Sequence, residues 1–389
     1  MMNNEASSRV SLLRSSSDAA TRVFATILTR SPISRADVAR FTGLSQAAVT
    51  KAVTPLVAAG LIDDTLDSRR HGLPGRPASP VAVVPDALIA IGIKVNPDEL
   101  VGVACDLTTR VIASQQPSLS SNEPAAVIDA IVDLVRSLED ELDGLGNRLA
   151  SIGVSVSGDV DTSTGVVRES THMGWTDVHL GTELASRLGQ LVVVENDVRA
   201  LTIGEHWFGV GLGTASFAMV TIGRGIGSGL HLNGEVVEGA YGVAGEIGHL
   251  PLTSPDKICA CGRRGCVEAV AATAAIVATV SAAHGRPLTV EDVVALAHAG
   301  DPAATAAFNE AATVIGTAIA SLVNLVGPEV VIIGGEAVSN FDLFEERLLA
   351  AFAEHAFGTA GRCRMIVRPH TFEDWARGAA ATAIRSLVA

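Results

Sequence analysis

Apolar positions near the start of the chain recur at helical spacing. Val23, Ile27 and Leu28 form one stripe over residues 19–29, which predicts a helix. Ser34 stands as an N-cap before a second helix over 35–41, which stops at Thr42-Gly43-Leu44. Ser45 caps a third over 46–58, closed by Gly60. In the third helix Val49, Val53 and Leu56 face inward, leaving Gln46, Ala47, Thr50 and Lys51 exposed near its N-terminal end. Three short helices with a glycine-containing turn before the last follow the helix-turn-helix plan, and the third reads as the recognition helix. Pro55 lacks a backbone donor and is expected to bend its last turn. Residues 63–80 have strand-like ends and read as a wing, with Arg69, Arg70 and the Gly75-Arg76-Pro77 tip suited to a narrow, A·T-rich minor groove. The candidate DNA contacts are Ser45, Gln46, Ala47, Thr50, Lys51, Arg69, Arg70 and Arg76. Residues 1–18, polar and Ser-rich, read as a flexible arm, so the winged helix-turn-helix spans 19–82. A winged helix that docks protein rather than DNA is the bland alternative.

From residue 87 the pattern changes to strands, over 87–95, 99–107 and 110–118. A polar turn at 120–124 opens a helix to 142, and a strand follows at 152–157. The same order returns with strands at 216–223, 227–232 and 235–238, a helix over 306–325 and a strand at 330–334. Two copies of a βββαβ pattern predict a two-lobed α/β body with a cleft between its lobes. Glycine-rich turns end several strands, at Ser157-Gly158-Asp159, at 223–229 and at Gly334-Gly335-Glu336. Such turns can bring backbone N–H groups close to a phosphate, although most are plain hairpins.

Charge sharpens the division. Residues 1–80 hold ten basic and six acidic residues, while 81–389 hold 18 and 36, so the net charge of −14 hides a basic front end on an acidic body. That asymmetry suggests nucleic acid at one end only. No charged-then-apolar leader opens the chain, and the longest weakly polar run, 269–283, is too short to span a bilayer, so a cytoplasmic protein with no membrane partner is expected. Five cysteines, an odd count, imply no disulfide framework.

Three of those cysteines carry the strongest chemical signal. Gly245-Glu246-Ile247-Gly248-His249 is followed by Cys259, Cys261 and Cys266, the one-nitrogen, three-sulfur set of a closed structural Zn²⁺ site. Glu246 and Glu268 bracket this loop, and an apolar strand at 191–195 delivers Asn196 and Asp197 at its C-terminal end. Carboxylates, an amide and an imidazole are the groups that satisfy sugar hydroxyls. Asn196 and Asp197 could equally be a turn that caps the next helix.

The Gly-Glu-Ile-Gly-His and Cys-x-Cys-Gly-x-x-Gly-Cys-x-Glu motifs, Glu195-Asn196-Asp197 and the preceding winged helix together resemble the ROK family of sugar kinases and sugar-responsive repressors. The resemblance implies an actin-like, ribonuclease H-like ATPase fold, with a first lobe of about 83–197 plus 372–389 and a second of about 198–371. It implies that the helix near 375–387 packs on the first lobe. The implied sugar ligands are Asn196, Asp197, Glu246, His249 and Glu268, with Gly158 beside them, and His249 would serve zinc through one ring nitrogen and a hydroxyl through the other. In the family's kinases the residue matching Asp197 is the general base.

Departures from the family pattern favour its repressor branch. Kinases carry Asp-x-Gly-Gly-Thr on the first hairpin, where this chain has Lys94-Val95-Asn96-Pro97-Asp98; Pro97 supplies no N–H to a phosphate. His172 replaces a frequent polar amide before Gly174-Trp175, which bears on which sugar fits. The expectation is a repressor, a homodimer or tetramer on a pseudo-palindromic operator, released when a sugar closes the lobes. Its rivals are an active sugar kinase with an added DNA-binding domain, a zinc sensor, and a regulator whose pocket has lost its ligand.

Overall fold

The computed structural model describes residues 4–66, 80–142 and 144–388, in two compact units: residues 1–212 with 375–389, and residues 213–374. The first unit runs to Leu212 and takes in the N-terminal helices.

The first unit opens with helix α1 (Asn4–Arg14), where a flexible arm was expected. Ala6, Val10 and Leu13 are buried, at helical spacing on one face, and that stripe gives the segment a reason to fold. Next come α2 (Asp18–Arg30), β1 (Ile33–Ser34), α3 (Arg35–Thr42), α4 (Gln46–Ala58), β2 (Ile62–Asp63) and β3 (Pro80–Val83). The Ser34 and Ser45 hydroxyls accept from Asp37 N–H and Ala48 N–H at 3.0 and 3.2 Å, and Gly43 closes α3 in the left-handed conformation. Pro55 does not end α4, which runs on to Ala58. Strand β3 pairs antiparallel with β1 and β2, building the base of a wing, whose tip with Arg69, Arg70 and Arg76 lies outside the described residues.

The rest of the unit is built on a five-stranded sheet of β4 (Ile89–Val95), β5 (Leu100–Asp106), β6 (Val111–Gln115), β7 (Leu149–Val156) and β11 (Val192–Asn196), in the order β11-β7-β4-β5-β6. A small sheet of β8 (Asp159–Asp161), β9 (Val166–Ser170) and β10 (Trp175–Val178) was not visible as strands in the sequence. Helices α5 (Pro124–Glu141), α6 (Leu180–Leu188) and α7 (Asp197–Phe208) complete it. Strands β4, β5 and β7 are buried along their whole length, which is why they read as continuous apolar runs instead of alternating ones.

The second unit repeats the plan with β12 (Phe217–Ile222), β13 (Ile226–Leu232), β14 (Glu235–Val236), β15 (Val330–Gly334) and β16 (Arg364–Val367), ordered β14-β13-β12-β15-β16. Numbered within each unit, both sheets run 3-2-1-4-5, with the first three strands antiparallel and the last two parallel to the first. The repeat predicted from the sequence is thus one strand longer than it looked. Its helices are α8 (Glu268–Ala271), α9 (Thr273–His284), α10 (Val290–His298), α11 (Pro302–Val326) and α12 (Glu345–His355). Contrary to the sequence expectation, α11 is long and apolar enough to cross a membrane; 67% of that stretch is buried, and the helix packs against α12 in the core of the unit.

Helix α13 (Phe372–Arg385) returns the chain to the first unit from Trp375 onward. Gly92 of β4 and Gly153 of β7 make room for it: a Cβ there would meet the carbonyl oxygens of Ala376 and Ala379 at 2.0 and 1.9 Å.

Candidate functional site

The residues singled out in the sequence fall in both units. In the second unit, the Gly-Glu-Ile-Gly-His segment is pinned to β13. A Cβ on Gly245 would lie 2.3 Å from Ser228 O, and one on Gly248 2.0 Å from Ile226 O, so only glycine permits this close approach. Ser228 Oγ also donates to Gly245 O at 2.6 Å. Glu268, the first residue of α8, accepts from Ile226 N–H at 3.0 Å. Glu246 is exposed, with Oε2 4.0 Å from His249 Nε2.

The loop beyond folds back on itself. Cys259 N–H donates to Arg263 O and Gly262 N–H to Cys259 O, and Gly262 and Gly265 both take positive φ. The ligand atoms of His249, Cys259, Cys261 and Cys266 lie within 4.8 Å of one another. Cys259 Sγ is 3.8 Å from His249 Nδ1, and Cys261 Sγ is 3.9 Å from Cys266 Sγ. Two sulfurs on one tetrahedral zinc, each about 2.3 Å from it, would be separated by roughly 3.8 Å, so the donor set has the right size. Burial pushes the Cys259 thiol up to about 12 and raises Cys266 as well. Thiols in that state bind as thiolates when a cation displaces their protons. These four residues could hold a metal ion.

In the first unit, β11 and α7 present Asn196 and Asp197. Asn196 is the N-cap of α7: its Oδ1 accepts from Arg199 N–H at 3.1 Å while Nδ2 donates to Gly158 O at 3.0 Å. The capping alternative is therefore realised, and the amide ties the Gly158 turn to the start of the helix. Gly158, at φ 111°, is pressed against Glu169 O, 2.2 Å from where a Cβ would stand. Asp197 Oδ1 accepts from Val198 N–H at 2.9 Å.

Two buried ion pairs here escaped the sequence reading. Glu195 and Arg199 are 2.6 Å apart with side chains 4% and 3% exposed, and Glu195 also accepts from Asn196 N–H and Thr162 Oγ1. Burial raises the Glu195 carboxyl above the ordinary glutamate range against the opposing pull of Arg199. The second pair is Lys94 Nζ with Asp197 Oδ2, at 2.5 Å. A lysine and an aspartate 103 positions apart gave no local signal, but the departure at Lys94 did mark where to look.

The glycine loop at 223–225 is also engaged by protein. Glu336 accepts from Arg224 N–H at 2.6 Å, and the Arg224 guanidinium lies over the Phe372 ring. His172 is exposed beside the β9–β10 turn. On α4, Ser45, Gln46, Ala47, Thr50 and Lys51 are all exposed, and Val49, Val53 and Leu56 are buried as expected.

Residues 90–386 match the model of the ROK family. The chain belongs to the ROK family. Among its relatives, the xylose repressor of Bacillus subtilis is 25% identical over 86% of each chain, and the DNA-binding transcriptional repressor Mlc of Escherichia coli is 26% identical over 83% of this chain and 84% of its own. A solved ROK-family transcriptional regulator, a homologue of the E. coli Mlc protein, superposes with TM-score 0.81 over 95% of both chains at 26% identity. A ROK glucokinase from Streptomyces griseus, solved with glucose and AMPPNP, reaches TM-score 0.67 at 25% identity and covers 99% of itself but 76% of this chain. The body thus has the actin-like ATPase fold that ROK regulators and kinases share.

Proposed function

We propose that this ROK protein is a cytoplasmic, zinc-containing repressor of carbohydrate genes that leaves its operator when a sugar binds. Helix α4 enters the major groove with Ser45, Gln46, Ala47, Thr50 and Lys51, and the wing arginines Arg69, Arg70 and Arg76 lie along an A·T-rich minor groove. Two or four copies occupy a pseudo-palindromic site. The sugar contacts in this reading are Asn196, Asp197, Gly158, Glu246, His249 and Glu268. Zn²⁺ on His249 Nδ1, Cys259, Cys261 and Cys266 is structural: the four ligands leave no open position, and the ion orders a loop with little core of its own. The imidazole's other nitrogen then faces a hydroxyl.

The observation that carries the regulator reading over the kinase reading is the Lys94–Asp197 pair. Asp197 is where a ROK kinase would take the proton, and here a buried ammonium holds it. An oxygen held by a buried ammonium is not free to take a substrate proton unless that pair first separates. The Glu336 carboxylate on Arg224 N–H likewise supports the loss of phosphate binding at that loop, since an anion already takes the amide. The kinase alternative predicts ADP formation. Purified protein with ATP, Mg²⁺ and a panel of hexoses and pentoses should release no ADP above background, while shifting a DNA fragment selected from random sequence; sugar-dependent ADP release would reverse the assignment.

A further inference from the structure

Lys94, Asp197 and Trp375 lie together in the first unit. The Lys94 side chain is 5% exposed, and among the described residues its one hydrogen-bond partner is Asp197. An ammonium has three N–H donors, so two are left over. Lys94 Nζ also stands 5.4 Å from the centroid of the Trp375 ring. Trp375 is itself buried, and its Nε1–H has no acceptor among the described residues. Buried donors without acceptors are costly, and such groups commonly mark where something else binds. Asp197 accepts from Lys94 on Oδ2 and from Val198 N–H on Oδ1, and each oxygen keeps a lone pair for a further donor.

The surplus donors ask for oxygen acceptors, and the charge balance decides which kind. Lys94 and Asp197 together carry no net charge. A phosphate or carboxylate could accept from Lys94, but it would bring a second anion against Asp197 where water screens little. A hydroxyl oxygen accepts from Lys94 or Trp375 while its O–H donates a hydrogen bond to Asp197, leaving no charge uncompensated. We propose that Lys94 and Trp375 are ligand-binding residues that donate to sugar hydroxyl oxygens, and that the effector is an uncharged sugar bearing no phosphate on the hydroxyl at Asp197. This rests on the sugar-sensing reading above and names the class of sugar within it.

The test is isothermal titration of the full chain with neutral hexoses, pentoses and N-acetylhexosamines, each beside its phosphate esters. At least one neutral sugar should bind at least about tenfold more tightly than its ester. Trp375→Phe, which keeps one aromatic ring but removes the N–H and part of the indole volume, should weaken that sugar about tenfold when binding is measured well below the variant's own melting temperature. Asp197→Asn removes the repelling charge and should shift the preference toward the ester. An ester that binds as tightly as its parent sugar, or a Trp375→Phe protein that binds unchanged, overturns the inference. If no sugar or ester binds wild type, the sugar-sensing reading itself falls; if esters alone bind, that reading stands and this one is wrong.

Discussion

Arg9 Nε donates to the Ala59 carbonyl at 2.9 Å, and Nη1 of the same guanidinium donates to Ala87 O at 2.9 Å. Ala59 caps α4, the helix proposed to read DNA, and Ala87 precedes β4, the strand that carries Lys94. One side chain of α1 therefore joins the end of α4 to the start of the strand that carries Lys94. Arg9→Met should cost about 1–3 kcal/mol of stability, because two carbonyls lose charged donors. It should also reduce the response of DNA binding to sugar more than DNA binding itself. Thermal melts and anisotropy titrations with and without sugar check both parts.

Loss of a thiol should disorder the 245–268 loop. Wild type should carry about one zinc per chain by mass spectrometry of the metal, and Cys261→Ser should carry much less. The same variant should lose sugar affinity, since Glu246, His249 and Glu268 sit on the segment that the site organises. Unchanged metal content in Cys261→Ser would exclude this site.

Breaking the Glu195–Arg199 pair should be severe. Glu195→Gln strands a buried guanidinium and should cost about 3–5 kcal/mol, whereas the double variant Glu195→Gln with Arg199→Met should recover much of that loss. Because burial raises the folded-state pKa of Glu195, the folded chain holds this proton to higher pH than the unfolded chain does. Its contribution is therefore greatest below the unfolded pKa and declines as pH rises through the folded one. Denaturant melts across the acidic range should show this decline in wild type and not in the double variant.

Much of this was legible in the sequence, for physical reasons that differ by element. Ser34 and Ser45 announced α3 and α4 because caps are local, and β4, β5 and β7 were readable as strands because burial along their whole length makes them apolar runs. The cluster that could hold a metal was readable because His249 and the three cysteines are close in the chain as well as in space. What stayed hidden was non-local or masked by composition. Helix α1 was hidden among serines, its stripe resting on only Ala6, Val10 and Leu13. Lys94 Nζ comes within 5.4 Å of the Trp375 ring centroid only after the C-terminal helix returns to β4, and no spacing rule spans that distance. Asn196 showed the opposite ambiguity, since one amide caps α7 and binds the Gly158 turn.

Removing one recognition-helix charge should have a distinct salt signature. Lys51→Ala should weaken binding to all DNA about equally and lower the slope of log affinity against log salt by roughly one, as expected for one lost phosphate contact. Gln46→Ala should instead change the selected sequence. Equal effects of both variants on a random and a selected fragment would argue that α4 does not read bases.

The most direct measurement is the affinity of the full chain for its selected DNA fragment, followed by anisotropy at fixed salt while the sugar identified by titration is added. Affinity should fall at least about tenfold at saturating sugar, a coupling of about 1.4 kcal/mol, and the same DNA should weaken sugar binding by an equal factor. Tight sugar binding with an unchanged DNA affinity would contradict the sensor-repressor account.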